Sequence, residues 1–381
     1  MSGMRIAVLW KRRYMGHDVI RDRYARLYEL PRGLAESGHA VLALCLNYHP
    51  GEPERRVDQV DSPGSLVWVG FQAGPWLVGG LPGYWRSLIA ELQAFQPDVL
   101  LGGSDAPHVI LTRNAAKRLG VPYVLDLYDN YEAFGLARIP GMKSLYRRAL
   151  RGASGIGAVS ELLAEYVQTL APGVPAITLE STIDPARFYP RDPLAARERF
   201  GLPPMVRLVG VSGSLSRNRG IDHVYASFLR LSAEDPSLHL ALAGDIDPRH
   251  PPPRHPRIHW LGRIAHDAMP DFFSALDLAV VPMIDTAFGR YAFPQKAFEI
   301  LACGTPLLTT RLGALERTLA AYPECLYAPG DDEDLDRRLR GQLSEPTVLR
   351  VSIPSWRDQA GRLEQLLADA VLHTGLAACQ N

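Results

Sequence analysis

At 381 residues the chain is too long for one ordinary hydrophobic core and fits two domains. It is 47% hydrophobic and 22% charged, which is globular rather than disordered, and its formal net charge of +0 gives no case for nucleic acid or another polyanion. Cys45, Cys303, Cys325 and Cys379 are scattered without a C-x-x-C pair, so they supply neither a disulfide framework nor a zinc spacing, and a reducing cytoplasmic setting is expected.

Taken in order, residues 5–10 read as a buried strand. Charges follow this apolar run rather than precede it, which marks a strand and not a signal peptide. No stretch reaches the ~18 apolar residues of a membrane-spanning helix. Residues 11–18 read as a polar loop, 20–37 as one helix and 40–46 as a second strand. This strand–helix–strand unit predicts a Rossmann-like α/β domain. Open parallel sheets bind ligands beyond the C-terminal ends of their strands, and Lys11, Arg12 and Arg13 lie there. They can face an anionic donor, an anionic acceptor or a lipid surface, or form a solvated basic turn.

Strands are expected over 67–71, 97–101 and 122–127, and helices over 85–95 and 109–119. Ser104, Asp105 and His108 follow the C-terminal end of the 97–101 strand and are candidate acceptor contacts. Asp126, Tyr128, Asp129 and Glu132 cluster at the end of the 122–127 strand, where polar groups point to function more than to packing. Residues 141–152 form a basic amphipathic helix carrying Lys143, Arg147, Arg148 and Arg151. Such a face can meet anionic headgroups or simply be solvated. Ser160 is a helix cap.

Asp/Pro turns over 179–193 separate two α/β halves, which gives an N-terminal domain over 1–180 and a second over 181–355. An apolar helix from Trp356 ends the chain, so 356–381 stands apart. The strand over 206–211 runs into a glycine-bearing loop, 212–220, whose backbone can approach phosphate oxygens. Arg217 and Arg219 add charge suited to a leaving diphosphate. Asp245-Ile246-Asp247 has the Asp-x-Asp form of a metal site, read here as a chance match with no metal expected. A loop over 283–293 leads to the most informative stretch, 291–310. Pro294 suits a first helical turn, Ala297, Phe298, Leu301 and Ala302 make an apolar face, and Gly304 and Pro306 end the helix. Lys296 and Glu299 are three apart and can share a face. A helix start, a lysine and a carboxylate able to accept from sugar hydroxyls together suit a nucleotide sugar. The competing reading is a helix packed on a sheet, with Lys296 and Glu299 as a solvated ion pair.

Pro294, Lys296, Glu299, Ala302, Gly304 and Pro306 spell Pro-x-Lys-x-x-Glu-x-x-Ala-x-Gly-x-Pro. This resembles the donor-site segment of GT-B glycosyltransferases of family 4, the group 1 transferases. The resemblance implies an α/β GT-B architecture, two Rossmann-like domains facing a cleft, with the C-terminal helix crossing back to the first domain. Tyr291 stands where many members carry a first glutamate. Arg219-Gly220 matches the family's Lys-Gly, Ser214 replaces its arginine, and Arg217 lies close by. Of the family's paired N-terminal glycines only Gly16 matches. Ile183-Asp184, Phe188 and Pro190 match the interdomain segment, and Tyr128-Asp129 matches part of an Arg-Asp-x-Trp-Pro motif.

By that resemblance the activity is sugar transfer from a nucleoside diphosphate sugar, with retention and without a metal or other cofactor. Asp129, Arg219, Lys296 and Glu299 would be catalytic. Gly16, Gly213, Ser214, Arg217, Arg263, Tyr291 and Phe293 would join Arg219, Lys296 and Glu299 around the donor, with Arg263 beside the base. Lys11, Arg12, Asp105, His108 and Tyr128 would line the acceptor side. The partners expected are a nucleotide sugar and a saccharide, lipid-linked or small-molecule acceptor, in cell-surface polysaccharide or glycolipid synthesis. Peripheral contact with the inner face of a membrane is a further expectation, and nucleic acid is not a partner. Two other readings remain open. One is a nucleotide-sugar 2-epimerase using Asp105, His108, Asp129 and Glu132. The other is a non-catalytic sugar-nucleotide-binding subunit, motivated by Tyr291, Ser214 and the missing glycine.

Overall fold

The computed structural model describes residues 3–49, 52–72 and 77–379, without the side chains of 77–81 and 375–379. The side chain of Cys379 therefore lies outside the described residues. The chain divides into two compact units, Met1–Ser181 with Ser355–Asn381, and Thr182–Pro354.

The first unit carries strands β1 (Arg5–Lys11), β2 (Arg13–Tyr14), β3 (His17–Asp18), β4 (Ala40–Asn47), β5 (Glu54–Asp58), β6 (Ser65–Gln72), β7 (Val99–Gly103), β8 (Tyr123–Leu127), β9 (Gly155–Ala158) and β10 (Ala176–Thr178). Its helices are α1 (Val19–Asp22), α2 (Arg26–Glu36), α3 (Leu77–Phe95), α4 (Ala106–Leu119), α5 (Met142–Arg151), α6 (Glu161–Leu170) and, at the chain end, α14 (Trp356–Cys379). The main sheet runs β10-β9-β8-β7-β1-β4-β6-β5 and is parallel except for β5. Continuous apolar strands such as RIAVLWK suit a sheet buried on both faces. The strand order reverses between β1 and β7, which opens a crevice at Lys11 and Ser104. Leu363, Leu366, Leu367 and Ala370 of α14 enter the same core as Ile6, Val8 and Leu27. The helix fits because its neighbours are small: a Cβ on Gly33 would sit 2.5 Å from the Ala360 Cβ.

Two local expectations change here. The loop over 11–18 is instead the ribbon β2/β3, turned at Met15 (φ 50°) and Gly16 (φ 87°), the left-handed pair a two-residue hairpin demands. The helix over 20–37 is broken: α1 stops at Asp22, Arg23 and Ala25 take positive φ (49° and 53°), and α2 begins at Arg26. The break lets Arg26 turn inward, where its guanidinium meets Asp126 with both side chains 0% exposed.

The second unit carries β11 (Arg207–Ser212), β12 (Leu238–Ala243), β13 (Ile258–Trp260), β14 (Leu278–Val281), β15 (Leu307–Thr310) and β16 (Leu326–Tyr327), in the all-parallel order β13-β12-β11-β14-β15-β16. Its helices are α7 (Pro193–Arg199), α8 (Ile221–Glu234), α9 (Met269–Ser274), α10 (Ala287–Tyr291), α11 (Lys296–Ala302), α12 (Gly313–Thr318) and α13 (Asp332–Ser344). Here the order reverses between β11 and β14, at Gly213. Phe272, Phe273 and Phe298 are fully buried, and each such ring stabilises the fold by about 1.5–3 kcal/mol. Among the described residues, no helix is long and apolar enough to cross a membrane.

Candidate active site

At the reversal point of the second unit, β11 ends and the backbone turns at Gly213, with φ 111°. That φ favours glycine, and the missing Cβ leaves room for Lys296 Nζ, which would lie 2.2 Å from one. Gly244 closes the same corner: its Cβ would come within 1.9 Å of the Gly213 carbonyl oxygen. The Lys296 ammonium is thereby held against the loop backbone. Among the described residues, no ion pair engages it, so the Lys296–Glu299 pair of the competing reading is absent. Burial lowers the Lys296 pKa, Glu299 works to raise it, and Arg219 lowers it further. A half-buried cation without a paired carboxylate is costly, and an anionic ligand would remove that cost.

Glu299 is 4% exposed. It accepts from Gln295 Nε2 at 3.3 Å, and His266 Nε2 lies 3.6 Å from its Oε1. His266 is itself held by Arg187 (2.7 Å) and by an edge contact with Phe188. Arg219 sits in a short turn, Arg217–Arg219, with its guanidinium 4.3 Å above the Phe288 ring. Phe288 belongs to α10, in the segment expected to be a loop; Thr286 caps this helix by accepting from Gly289 N at 3.1 Å. Tyr291 ends α10 half-buried, and Phe293 is buried against Phe298 with ring centroids 4.8 Å apart. Arg217 is 75% exposed and 3.9 Å from Asp222, and Ser214 is exposed with its hydroxyl 3.3 Å from Ser216. Arg263 is held by Asp245 through two contacts of 2.6 Å, while Asp247 is engaged by Arg249. Both carboxylates of the Asp-x-Asp match are thus occupied by arginines. The helix expected from Pro294 starts at Lys296 and is seven residues long, preceded by a turn from Pro294.

At the reversal point of the first unit, Lys11 N donates to Ser104 Oγ (2.9 Å) and Tyr128 OH donates to the Ser104 carbonyl (2.6 Å). Lys11 Nζ lies 5.5 Å from the Tyr128 ring centre, and Tyr14 packs edge-on against the same ring at 4.8 Å. Burial lowers the Lys11 pKa, opposed by Asp105 and Asp129, so those three groups and Tyr128 share one location. Burial alone would raise the Asp105 carboxyl, yet His108 and Lys11 hold it below its ordinary range. Gly16 lies at the tip of the β2/β3 ribbon with open space where a Cβ would be.

Other candidates are used by the fold. Arg12 is 2% exposed and pairs with Asp18 (2.9 Å) and Glu54, so it does not face an acceptor. His108 is 1% exposed, with its Nδ1 2.7 Å from Asp105 Oδ1, and Asp105 also caps α4 and accepts from Tyr48 (3.0 Å). Glu132 accepts from Arg147 (2.6 Å) and Tyr166 (2.7 Å). Of the acid–histidine set that an epimerase would use, Asp105, His108 and Glu132 are therefore engaged in a helix cap and ion pairs.

Two family models match this chain: a glycosyl transferase 4-like domain over residues 25–179 and glycosyl transferases group 1 over residues 206–345. The chain belongs to the family 4, group 1 glycosyltransferases. Relatives of this glycosyltransferase include the 2-deoxystreptamine N-acetyl-D-glucosaminyltransferase of Streptomyces fradiae, 26% identical over 83% of this chain and 80% of the relative. The mannosylfructose-phosphate synthase of Agrobacterium fabrum is 29% identical over 49% of this chain and 45% of its own length, so that match spans under half of the relative. The fold is that of GT-B enzymes. Sucrose-phosphate synthase from Thermosynechococcus elongatus superposes with TM-score 0.68 at 19% identity over 98% of both chains. Anabaena HepE in complex with UDP does so with TM-score 0.68 at 14% identity over 99% of both.

In this glycosyltransferase the sequence reading missed His266, Gln295, Arg187 and Phe288. Gln295 adjoins Lys296 and its spacing to Glu299 was visible as an i,i+4 pair. Nothing in the sequence joins His266 or Phe288 to the motif: His266 comes from the short turn His266–Ala268 and Phe288 from α10.

Proposed function

We propose that this glycosyltransferase moves a hexosyl group from a nucleoside diphosphate sugar to a hydroxyl of a saccharide or cyclitol acceptor. In this reading the anomeric configuration is retained, and neither a metal ion nor another cofactor is needed. The observation that carries the donor assignment is the half-buried Lys296 ammonium, without an ion-pair partner, held against Gly213. Lys296 and Arg219 would meet the charge that develops on the leaving diphosphate, stabilising the transition state more than the bound donor. Glu299, kept in place by Gln295, would accept from the donor's hydroxyls. Tyr291 and Phe293 would flank that sugar, and Arg263, fixed by Asp245, would edge the base. The engagement of Asp245 and Asp247 by arginines supports chemistry without a metal.

On the acceptor side, Asp129 would accept from the attacking hydroxyl and Lys11 would donate to a neighbouring one, over the Tyr128 ring. The names of relatives, 2-deoxystreptamine N-acetyl-D-glucosaminyltransferase and mannosylfructose-phosphate synthase, fit small polyhydroxylated acceptors. The test is to supply UDP-, GDP-, ADP- and dTDP-sugars with 2-deoxystreptamine, inositol phosphates and simple saccharides, and to read product anomers by NMR with and without a chelator. A product of retained configuration, formed equally with chelator present, is expected. An inverted product, or one abolished by the chelator, contradicts the proposal.

A further inference from the structure

Net neutrality of the whole chain conceals a local separation of charge. Residues 134–151 hold Arg138, Lys143, Arg147, Arg148 and Arg151 and no Asp or Glu. The structure sorts these five. Arg147 is taken by Glu132, and Arg151 Nε donates to the Leu170 carbonyl at 3.0 Å. Arg138, Lys143 and Arg148 are exposed, and among the described residues no ion pair engages them.

The same segment presents aliphatic side chains to solvent: Leu136 is 46% exposed, Ile139 48% and Leu145 49%. Single exposed apolar residues are ordinary, but three within ten positions, interleaved with unpaired cations, are not. The segment is built to hold them out. Ala137 is 4% exposed and anchors the turn Gly135–Arg138, while Tyr146, Ala149 and Leu150 anchor α5. Ile139 N donates to Leu136 O (3.2 Å), Met142 N to Ile139 O (3.0 Å) and Leu145 N to Gly141 O (3.0 Å), so turn and helix form one continuous ledge. On α5 Arg148 lies opposite the buried side formed by Tyr146, Ala149 and Leu150, and Leu145 is exposed beside it.

We propose that this ledge, Leu136 to Arg148, docks the enzyme on an anionic lipid bilayer. Arg138, Lys143 and Arg148 meet the headgroups, and Leu136, Ile139 and Leu145 enter the headgroup–acyl boundary. Cations interleaved with aliphatic side chains complement a surface that is anionic outside and apolar beneath. A nucleic acid satisfies the cations but leaves the three aliphatic groups in water, and Phe134, 42% exposed, is the one exposed aromatic ring of residues 134–151, short of the row of rings that stacking successive bases needs. The proposal stands apart from the donor chemistry, since none of these residues is assigned to the donor or the acceptor.

The experiment is co-sedimentation of the full chain with phosphatidylcholine vesicles, with and without phosphatidylglycerol, and with a single-stranded RNA homopolymer as competitor. Two triple variants are compared, L136S/I139S/L145S and R138S/K143S/R148S, each checked for an unchanged thermal midpoint. The wild type should pellet with phosphatidylglycerol vesicles and not with phosphatidylcholine alone. The charge variant should lose affinity by about a hundredfold and the aliphatic variant by about tenfold. A wild type that stays in the supernatant overturns the proposal. So does equal binding to both vesicle types, wild-type binding by either variant, or release of the protein from vesicles by the RNA.

Discussion

Around the first unit's reversal point, charges are mostly settled by other charges: Arg26 with Asp126, Arg12 with Asp18 and Glu54, Arg147 with Glu132. At the corresponding point of the second unit Lys296 is left without an ion-pair partner and pressed against a glycine backbone. The same sheet architecture therefore serves two ends. One edge uses ionic side chains to fix loops and leaves Lys11, Tyr128 and Asp129 as its accessible polar set. The other holds a cation in a costly position that only an anion can relieve. On the proposed function, this difference would separate residues whose loss unfolds the protein from residues whose loss silences it.

The sharpest way to break that comparison is Arg26→Met. It leaves the Asp126 carboxylate buried and uncompensated, and a loss of about 3–5 kcal/mol is expected in denaturant titration. Adding Asp126→Asn should recover part of it. A near-neutral Arg26→Met would show that the first unit's ion pairs are not what holds its loops. Glu299→Ala should act the other way. It removes a buried charge, so stability holds or rises, while the donor KM rises by about ten- to a hundredfold through lost charged hydrogen bonds. Parallel loss of midpoint and donor affinity would make Glu299 a structural residue instead.

Smaller effects sharpen the contrast. Asp105→Ala removes the cap of α4 and should cost about 1 kcal/mol. Because the folded Asp105 pKa lies below its ordinary value of 3.8, its contribution is present above that value. It is lost as pH falls through the lowered one, so wild type and Asp105→Ala should converge in stability at strongly acidic pH. For Lys296 the sign is opposite. Its folded pKa lies below the ordinary 10.5, so burial costs most at low pH and the cost fades as pH rises toward that value. A bound diphosphate favours the charged ammonium, so nucleotide affinity should fall as pH climbs through the lowered free-state value. A titration of nucleotide affinity from neutral to alkaline pH, compared with Lys296→Ala, reads this directly.

Much of the fold was legible because buried parallel strands are continuous apolar runs, and because Gly120, Gly220 and Gly304 mark helix boundaries. The candidate donor motif was legible because Lys296 and Glu299 lie three residues apart within one short helix. What stayed hidden depended on distance along the chain. Arg26 finds Asp126 a hundred positions away, and that partnership decides where α2 begins. Nothing near Arg12 indicates that Glu54 will claim it, so a basic run read as a ligand loop is in part a clamp. The helix α10 was missed because it is only five residues long, yet through Phe288 it sets the height of Arg219. Site geometry is set by such meetings of separate loops, which residue spacing does not encode.

The most direct test of the central claim is calorimetric titration of UDP, GDP and ADP into the wild type and Lys296→Ala. One nucleoside diphosphate should bind the wild type, and the variant should bind it about ten- to a hundredfold more weakly with an unchanged or higher thermal midpoint. Equal binding by the two proteins, or no binding of any nucleoside diphosphate to the wild type, would contradict the assignment of Lys296 as the cation that receives the donor's phosphates.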